Sequence, residues 1–243
     1  MLKRERQAII LHQLEDEGVV YVSQLAAELE VSPITIRRDL SQLEDEGQLR
    51  RVHGGALLRE GASVGRLPSG LERRIAEAGT RLLSEKSVVF LGPGTITPEM
   101  APFLREYPHL TIMTNALNVA WAVARQQTHP LHLIGGQVQA DDGVYGDADA
   151  LRGIRADWVV LEASGLDAAR GLTHDQHYYA EMGRVLLSLR AQVMVLLRPE
   201  QVGGADALFI APAEAVDVLV TGREAANAPL WDLSELGVRV VLT

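Results

Sequence analysis

The stretch Val31-Ser32-Pro33-Ile34-Thr35-Ile36-Arg37-Arg38-Asp39-Leu40 opens with a helix-start signal. Ser32 is a good N-cap, because its side-chain oxygen can take an orphan N–H of the first turn. Pro33 suits the first helical position, where a missing N–H costs nothing. Ile36, Leu40 and Leu43 then recur at helical spacing, and Gly47 can stop the helix after about Glu46. The inward stripe leaves Pro33, Ile34, Thr35, Arg37 and Arg38 for the other faces. Short or hydrogen-bonding side chains at a helix start, followed by paired arginines, are what a helix needs to meet base edges and phosphates in a DNA major groove.

The flanks strengthen this reading. Upstream, Arg6 to Leu14 carries Ile9, Ile10 and Leu14 as a helical stripe that ends before Gly18. Val22, Leu25, Ala26 and Leu29 follow the i, i+3, i+4, i+7 rule of a second short helix. Only a few residues separate it from the third, which is the helix-turn-helix arrangement. Downstream, Gln48 to Leu57 predicts a β-hairpin with a Gly54-Gly55 turn, a wing whose arginines would reach the sugar-phosphate backbone.

Charge sharpens the picture without deciding it. The 243 residues carry 23 Lys and Arg against 32 Asp and Glu, a net −9. A uniformly basic nucleic-acid binder is excluded, but charge can be local. Residues 1–59 hold basic clusters at Lys3-Arg4-Arg6, at Arg37-Arg38 and at Arg50, Arg51 and Arg59, with the acidic residues mostly between them. A DNA-binding face requires a fold that gathers those clusters.

The string 31–40, followed by Leu43-Glu44, Gly47, Leu49 and Arg51-Val52-His53-Gly54-Gly55-Ala56, resembles the N-terminal signature of DeoR-type bacterial transcriptional regulators. The resemblance runs over about residues 3–58 without a gap. Its Thr-Ile-Arg-Arg-Asp-Leu and Arg-Val-His-Gly-Gly-Ala segments are highly specific. It implies a winged helix-turn-helix that binds double-stranded operator DNA through Ser32, Pro33, Thr35, Arg37, Arg38, Arg50, Arg51, His53 and Gly54. Asp39 would hardly face phosphate; it is expected to orient Arg38 or another arginine.

Residues 59–70 contain Gly61, Gly65, Pro68 and Gly70 with little periodicity, and are expected to link a domain at 1–58 to one at 71–243. Leu71–Leu83 predicts a helix. Beyond it, apolar runs at Ser87–Leu91, Leu110–Met113, Leu131–Ile134, Trp158–Leu161, Gln192–Leu197, Val216–Val220 and Val238–Leu242 predict strands. Helical stretches at Thr97–Arg105, Ala116–Gln126, Ala148–Ile154 and Tyr178–Leu189 alternate with them. Continuous apolar runs mean strands covered on both faces, so the fold class is α/β: a small N-terminal winged helix-turn-helix followed by an open, mainly parallel α/β sensor domain.

Ligands of such sheets bind beyond the carboxyl ends of the strands. Those ends carry Gly92-Pro93-Gly94-Thr95-Ile96-Thr97, Thr114-Asn115, Gly135-Gly136 and Glu162-Ala163-Ser164-Gly165. Small residues admit a ligand to the backbone, and hydroxyls with helix N-termini favour an anion. The full dinucleotide fingerprint and the P-loop lysine are both missing, which disfavours nicotinamide and nucleoside-triphosphate ligands.

This half is also similar to the DeoR-type sensor domain, over about 70–243 and more loosely. The matching segments are Gly94-Thr95, Thr114-Asn115, Gly135-Gly136, Gly146, Ala163-Ser164-Gly165, Gly171-Leu172-Thr173 and Glu181. The resemblance implies a fold shared with sugar-phosphate isomerases and CoA transferases. It also implies an effector pocket for a phosphorylated sugar at Gly92, Gly94, Thr95, Thr97, Thr114, Asn115, Gly135, Gly136, Ser164, Gly165 and Glu181. Four family positions are altered. Gly92 stands for an Asp, Ile96 for a Thr and Gly183 for a Lys, and Arg198 to Val202 replaces a stretch that holds a second Lys. Losing two lysines strips cations from a pocket meant for a dianion, and Arg184 or Arg198 would have to replace them.

Other chemistry is set aside. Cys is absent, which excludes disulfides, thiolate nucleophiles and Cys-ligated metals. His174-Asp175-Gln176-His177 has metal-ligand types, but a polar loop explains it equally, and no metal or other cofactor is expected. Ser164 lacks the nucleophile-elbow spacing, so no catalytic residue is assigned. Asp141-Asp142 is expected to be solvated, and Trp121, Trp158 and Trp231 to lie in a core or interface. Neither a signal peptide nor a span of about 20 apolar residues is present, so a cytoplasmic protein with no membrane partner is expected. One module makes few base contacts, so a homodimer or higher oligomer is expected. The main expectation is a repressor of a carbohydrate operon, modulated by a phosphorylated sugar or related metabolite. Its rivals are a sugar-phosphate isomerase with Glu181 as base, and a regulator without a ligand.

Overall fold

A computed structural model describes residues 3–17, 19–45, 48–52, 54–58, 70–138, 144–145 and 148–243. The expected linker residues 59–69 therefore lie outside the described residues, as do Gly18, Gly47, His53, Asp141-Asp142 and Gly146. The chain divides into two compact units, Met1–Ser69 and Gly70–Thr243.

The first unit contains α1 (Lys3–Glu17), β1 (Val19–Tyr21), α2 (Val22–Glu28), α3 (Pro33–Asp45), β2 (Leu49–Val52) and β3 (Gly55–Leu58). Ile10 and Leu14 of α1, Leu25 of α2, and Ile36, Leu40 and Leu43 of α3 close one core with Leu49 and Ala56 of the ribbon. The stripe on α1 differs from the expected one. Ile9 is exposed, and Arg6 takes the inward position one turn before Ile10. The charge is tolerated there because Asp39 of α3 accepts two hydrogen bonds from its guanidinium, which raises the Arg6 pKa.

The ribbon has a third strand that the sequence did not announce. β1 pairs antiparallel with β3, which pairs with β2. Three residues are too few for a period-2 signal. The hairpin turn also shifts: Val52 pairs with Gly55, which puts Gly55 in the strand, and Gly54 carries the positive φ of 86°. Gly55 has a different task. A Cβ there would overlap the Val20 carbonyl of β1.

The second unit contains α4 (Gly70–Thr80), β4 (Val88–Leu91), a 3-10 turn at Thr97–Met100 leading into α5 (Ala101–Leu104), β5 (Thr111–Thr114), α6 (Leu117–Ala124), β6 (Leu131–Leu133), β7 (Gln137–Val138), β8 (Val144–Tyr145), α7 (Ala148–Arg152), β9 (Trp158–Glu162), β10 (Gly165–Asp167), β11 (Gly171–His174), α8 (His177–Leu187), β12 (Gln192–Leu196), β13 (Leu208–Ala211), β14 (Val218–Thr221), α9 (Asn227–Glu235) and β15 (Arg239–Leu242). All seven expected strands form one parallel sheet in the order β15-β14-β12-β9-β4-β5-β6.

Strand alternation sorts the sheet's side chains into two layers. Val89, Leu91, Val160, Met194 and Leu196 pack with α4, α5 and α6. Phe90, Val159 and Leu161 pack with α7 and α8, and Val193, Val195 and Leu219 with α9. The chain starts in the middle, at β4, builds β5 and β6 outward, then returns to lay β9 on the other side of β4. The strand order thus reverses between β4 and β9. Outside this sheet, β10, β11 and β13 form a small antiparallel one, and β7 pairs with β8. No helix among the described residues is long and apolar enough to cross a membrane.

Candidate nucleic-acid interface and sensor cleft

Ser32 caps α3 as its spacing predicts. Its hydroxyl oxygen accepts the Thr35 N–H at 3.2 Å and lies 2.8 Å from the Thr35 hydroxyl. Before it, Glu30 adopts a left-handed conformation (φ 51°) and Val31 N–H bonds the Ala26 carbonyl, which turns the chain sharply between α2 and α3. The turn leaves the outer face of α3 open. Ser32, Pro33, Ile34, Arg37 and Arg38 are exposed, and Thr35 is half-buried. Ile34, Arg37, Arg38, Ser41 and Gln42 border one surface depression. Among the described residues no hydrogen bond or ion pair holds the Arg37 or Arg38 side chain.

The ribbon is joined to this face. Arg51 N–H donates to Glu44 Oε1 at 2.8 Å, and Arg51 Nη1 donates to Ser41 Oγ at 2.7 Å. Lys3 of α1 reaches Gln42 on the same helix. Arg51 and Gly54 are exposed, and Arg50 lies on β2 beside Arg51. Arg6 does not join this face; the pairing with Asp39 takes it into the core.

In the second unit, the expected strand ends gather along one edge of the parallel sheet, but unequally. Gly92 follows β4, and its carbonyl accepts the buried Thr97 hydroxyl at 2.8 Å. Thr114 and Asn115 are buried at the end of β5. Asn115 Nδ2 donates to the Tyr178 hydroxyl at 3.0 Å, while its Oδ1 is buried with no partner among the described residues. Gly135 and Gly136 are exposed beyond β6. Ser164 donates to Asp175 at 3.1 Å. Gly165 is a packing residue: a Cβ there would overlap the Gly204 backbone. Glu181 is exposed on α8, 3.9 Å from His177.

Two of the altered family positions, Gly183 and Arg198, have defined surroundings. Gly183 faces β13, and a Cβ there would stand 2.9 Å from Ile210, so no long side chain fits without repacking. Of the two candidate replacement cations, Arg184 is spent on the Phe209 carbonyl at 2.9 Å. Arg198 stands at the sheet edge, where it donates to the Thr95 hydroxyl at 2.7 Å and pairs with Glu72 of α4.

Sequence reasoning passed over Glu162 as a site residue. Its carboxylate accepts the N–H groups of Ile96 at 2.7 Å, Thr97 at 2.9 Å and Thr95 at 3.1 Å. Burial pushes its pKa above the ordinary carboxyl range. The N–H groups of Thr97 and Thr95, the charge of Arg198 and the Ile96 N–H pull the other way. A lone acidic residue closing an apolar strand among small strand-end residues was the available signal. No group of three or more His, Asp or Glu among the described residues could hold a metal ion.

Residues 6–61 match the family model of the DeoR-like helix-turn-helix domain, and residues 71–223 that of the DeoR C terminal sensor domain. The chain belongs to the DeoR family. This DeoR-family chain is 28% identical over 251 residues to the HTH-type transcriptional regulator GolR of Listeria innocua, covering 99% of this chain and 98% of that protein. It is also 28% identical over 231 residues to the glycerol-3-phosphate regulon repressor of Escherichia coli K12, covering 91% of each. Among solved structures, it is similar to ribose 5-phosphate isomerase A of Methanocaldococcus jannaschii, with 14% identity, a TM-score of 0.37, and 54% and 52% of the two chains covered.

Proposed function

We propose that this DeoR-family chain is a transcriptional repressor of a carbohydrate operon, binding double-stranded operator DNA through α3 and the β2–β3 wing. The observation that carries this reading is the exposed Arg37-Arg38 face of α3, tied to the wing through Arg51. In this reading Ser32, Pro33, Thr35, Arg37 and Arg38 meet the major groove, with the Ile34 side chain available to a thymine methyl. Arg50, Arg51, His53 and Gly54 follow the sugar-phosphate backbone. A single module reads few base pairs, so the working form is a homodimer or higher oligomer on repeated half-sites.

The second unit senses a sugar phosphate or a related sugar-derived metabolite in the cleft beyond its parallel strands, and acts in the cytoplasm on the DNA it serves. It regulates rather than catalyses. The relatives are regulators, and Glu181, the candidate isomerase base, is turned to solvent beside His177. Genomic footprinting with the full chain tests the proposal. Protected sites should cluster upstream of carbohydrate genes and release their protein steeply with salt; protection scattered without sequence preference would refute it.

A further inference from the structure

In parallel α/β sheets, the crevice at a strand-order reversal is where ligands dock. Here that crevice lies between β4 and β9, and the chain fills it from within. Glu162 ends β9 on the same sheet face as Val160, two residues earlier, and this places its carboxylate against the loop that follows β4. Three successive backbone N–H groups, from Thr95, Ile96 and Thr97, converge on it. Such a run of N–H groups is a general anion cradle. Gly94 makes the fit possible, because a Cβ at that position would overlap the carboxylate. The adjacent cation is committed as well: Arg198 is held by Glu72 and the Thr95 hydroxyl.

We propose that Glu162 is the specificity-determining residue of the sensor cleft: a tethered carboxyl group that occupies the cradle and denies it to phosphate. Each N–H has one hydrogen to donate, and all three are engaged. A phosphate group reaches them only if the Glu162 carboxyl group leaves. The carboxylate also competes from a fixed position at high effective concentration, whereas a free ligand must first be bound. This inference rests on the reading of the second unit as a metabolite sensor and narrows it. The ligand is a sugar-derived compound recognised by groups other than a phosphate seated on residues 95–97.

The test uses the full chain, with inorganic phosphate and glycerol 3-phosphate as probes. Backbone amide signals of Thr95, Ile96 and Thr97 are followed by NMR, together with thermal midpoints. In the wild type these amides are expected to stay in place at about 10 mM of either probe, the scale on which a tethered group competes. In Glu162→Ala they shift on titration and the midpoint rises, with affinity at least about tenfold above wild type. Wild-type amides that respond as strongly as those of the variant overturn the proposal, and so does a folded Glu162→Ala that ignores both probes. If Glu162→Ala does not fold, the wild-type titration still decides: displacement of these three amides by phosphate overturns the proposal, and their indifference upholds it. Operator binding by the same preparations separates the two readings. Loss of DNA binding sinks the regulator, whereas the amide response alone judges Glu162.

Discussion

Asp39 follows Arg38 directly, yet the guanidinium it holds is that of Arg6, 33 residues earlier. Arg6 Nε lies 2.5 Å from Asp39 Oδ2, and Nη2 lies 3.2 Å from Oδ1. Both side chains are almost wholly out of solvent. Removing one partner of such a pair strands a buried charge, whereas removing both does not. Asp39→Ala is therefore expected to cost the first unit about 3 kcal/mol, and Arg6→Met with Asp39→Leu distinctly less. Hydrogen exchange of the α3 amides reads the difference. A double variant as unstable as the single one would show that the pair itself stabilises the unit.

Arg37 and Arg38 should behave in the opposite way. Both are exposed, so Arg37→Ala and Arg38→Ala leave thermal stability within about 0.5 kcal/mol. Either substitution is expected to weaken operator binding by about 1–3 kcal/mol if the side chain reads a base. Fluorescence anisotropy with a labelled operator, repeated across salt concentrations, distinguishes base contacts from phosphate contacts. A phosphate contact lowers the salt slope and weakens all sequences alike.

Glu44 of α3 holds the wing by its backbone. Its carboxylate takes the Arg51 N–H at 2.8 Å. Glu44→Ala removes that bond, worth about 1–2 kcal/mol because the acceptor is charged, and leaves every proposed DNA contact in place. Operator affinity should fall while the preference among operator sequences stays the same. A changed preference would mean that the wing helps to read bases.

Arg198→Ala takes the guanidinium away from Glu72, whose side chain is buried. The expected outcome is a lower midpoint for the second unit, seen in urea unfolding followed by tryptophan fluorescence. Trp121, Trp158 and Trp231 all belong to that unit, and Trp158 is buried in β9. An unchanged unfolding midpoint would show that Glu72 needs no cation there.

The raised pKa of Glu162 has a defined sign. An acid whose folded-state pKa exceeds its unfolded value of 4.5 binds more protons when folded. Stability from this group is therefore full below pH 4.5 and declines as pH rises through the folded value. Relative to Glu162→Gln, the wild type should lose stability across that rise. A difference independent of pH, measured by denaturation at a series of pH values, would contradict it.

Much of this was legible in the residues. Ser32-Pro33 marked the start of α3, and Ile36, Leu40 and Leu43 its buried side, because capping and helical periodicity are local. β4, β9, β12 and β14 stood out as continuous apolar runs because helices cover both faces of the sheet there. What escaped depended on distance. β1 exists because β3 offers it an edge, and Gly55 lets the two backbones approach. Arg6 resembled one more surface cation until Asp39, on another helix, drew it inward. Glu162 could be placed only once β4 and β9 were known to be neighbours, since its three donors lie more than sixty residues earlier in the chain.

The two bonds of Arg51, one from the backbone and one from the side chain, tie the hairpin to the third helix, so that in the proposed reading the two meet DNA as one head. Such a head is portable. Grafted in front of an unrelated oligomerising sensor, residues 1–58 would carry their target choice into the chimaera, while the new partner would decide when they let go.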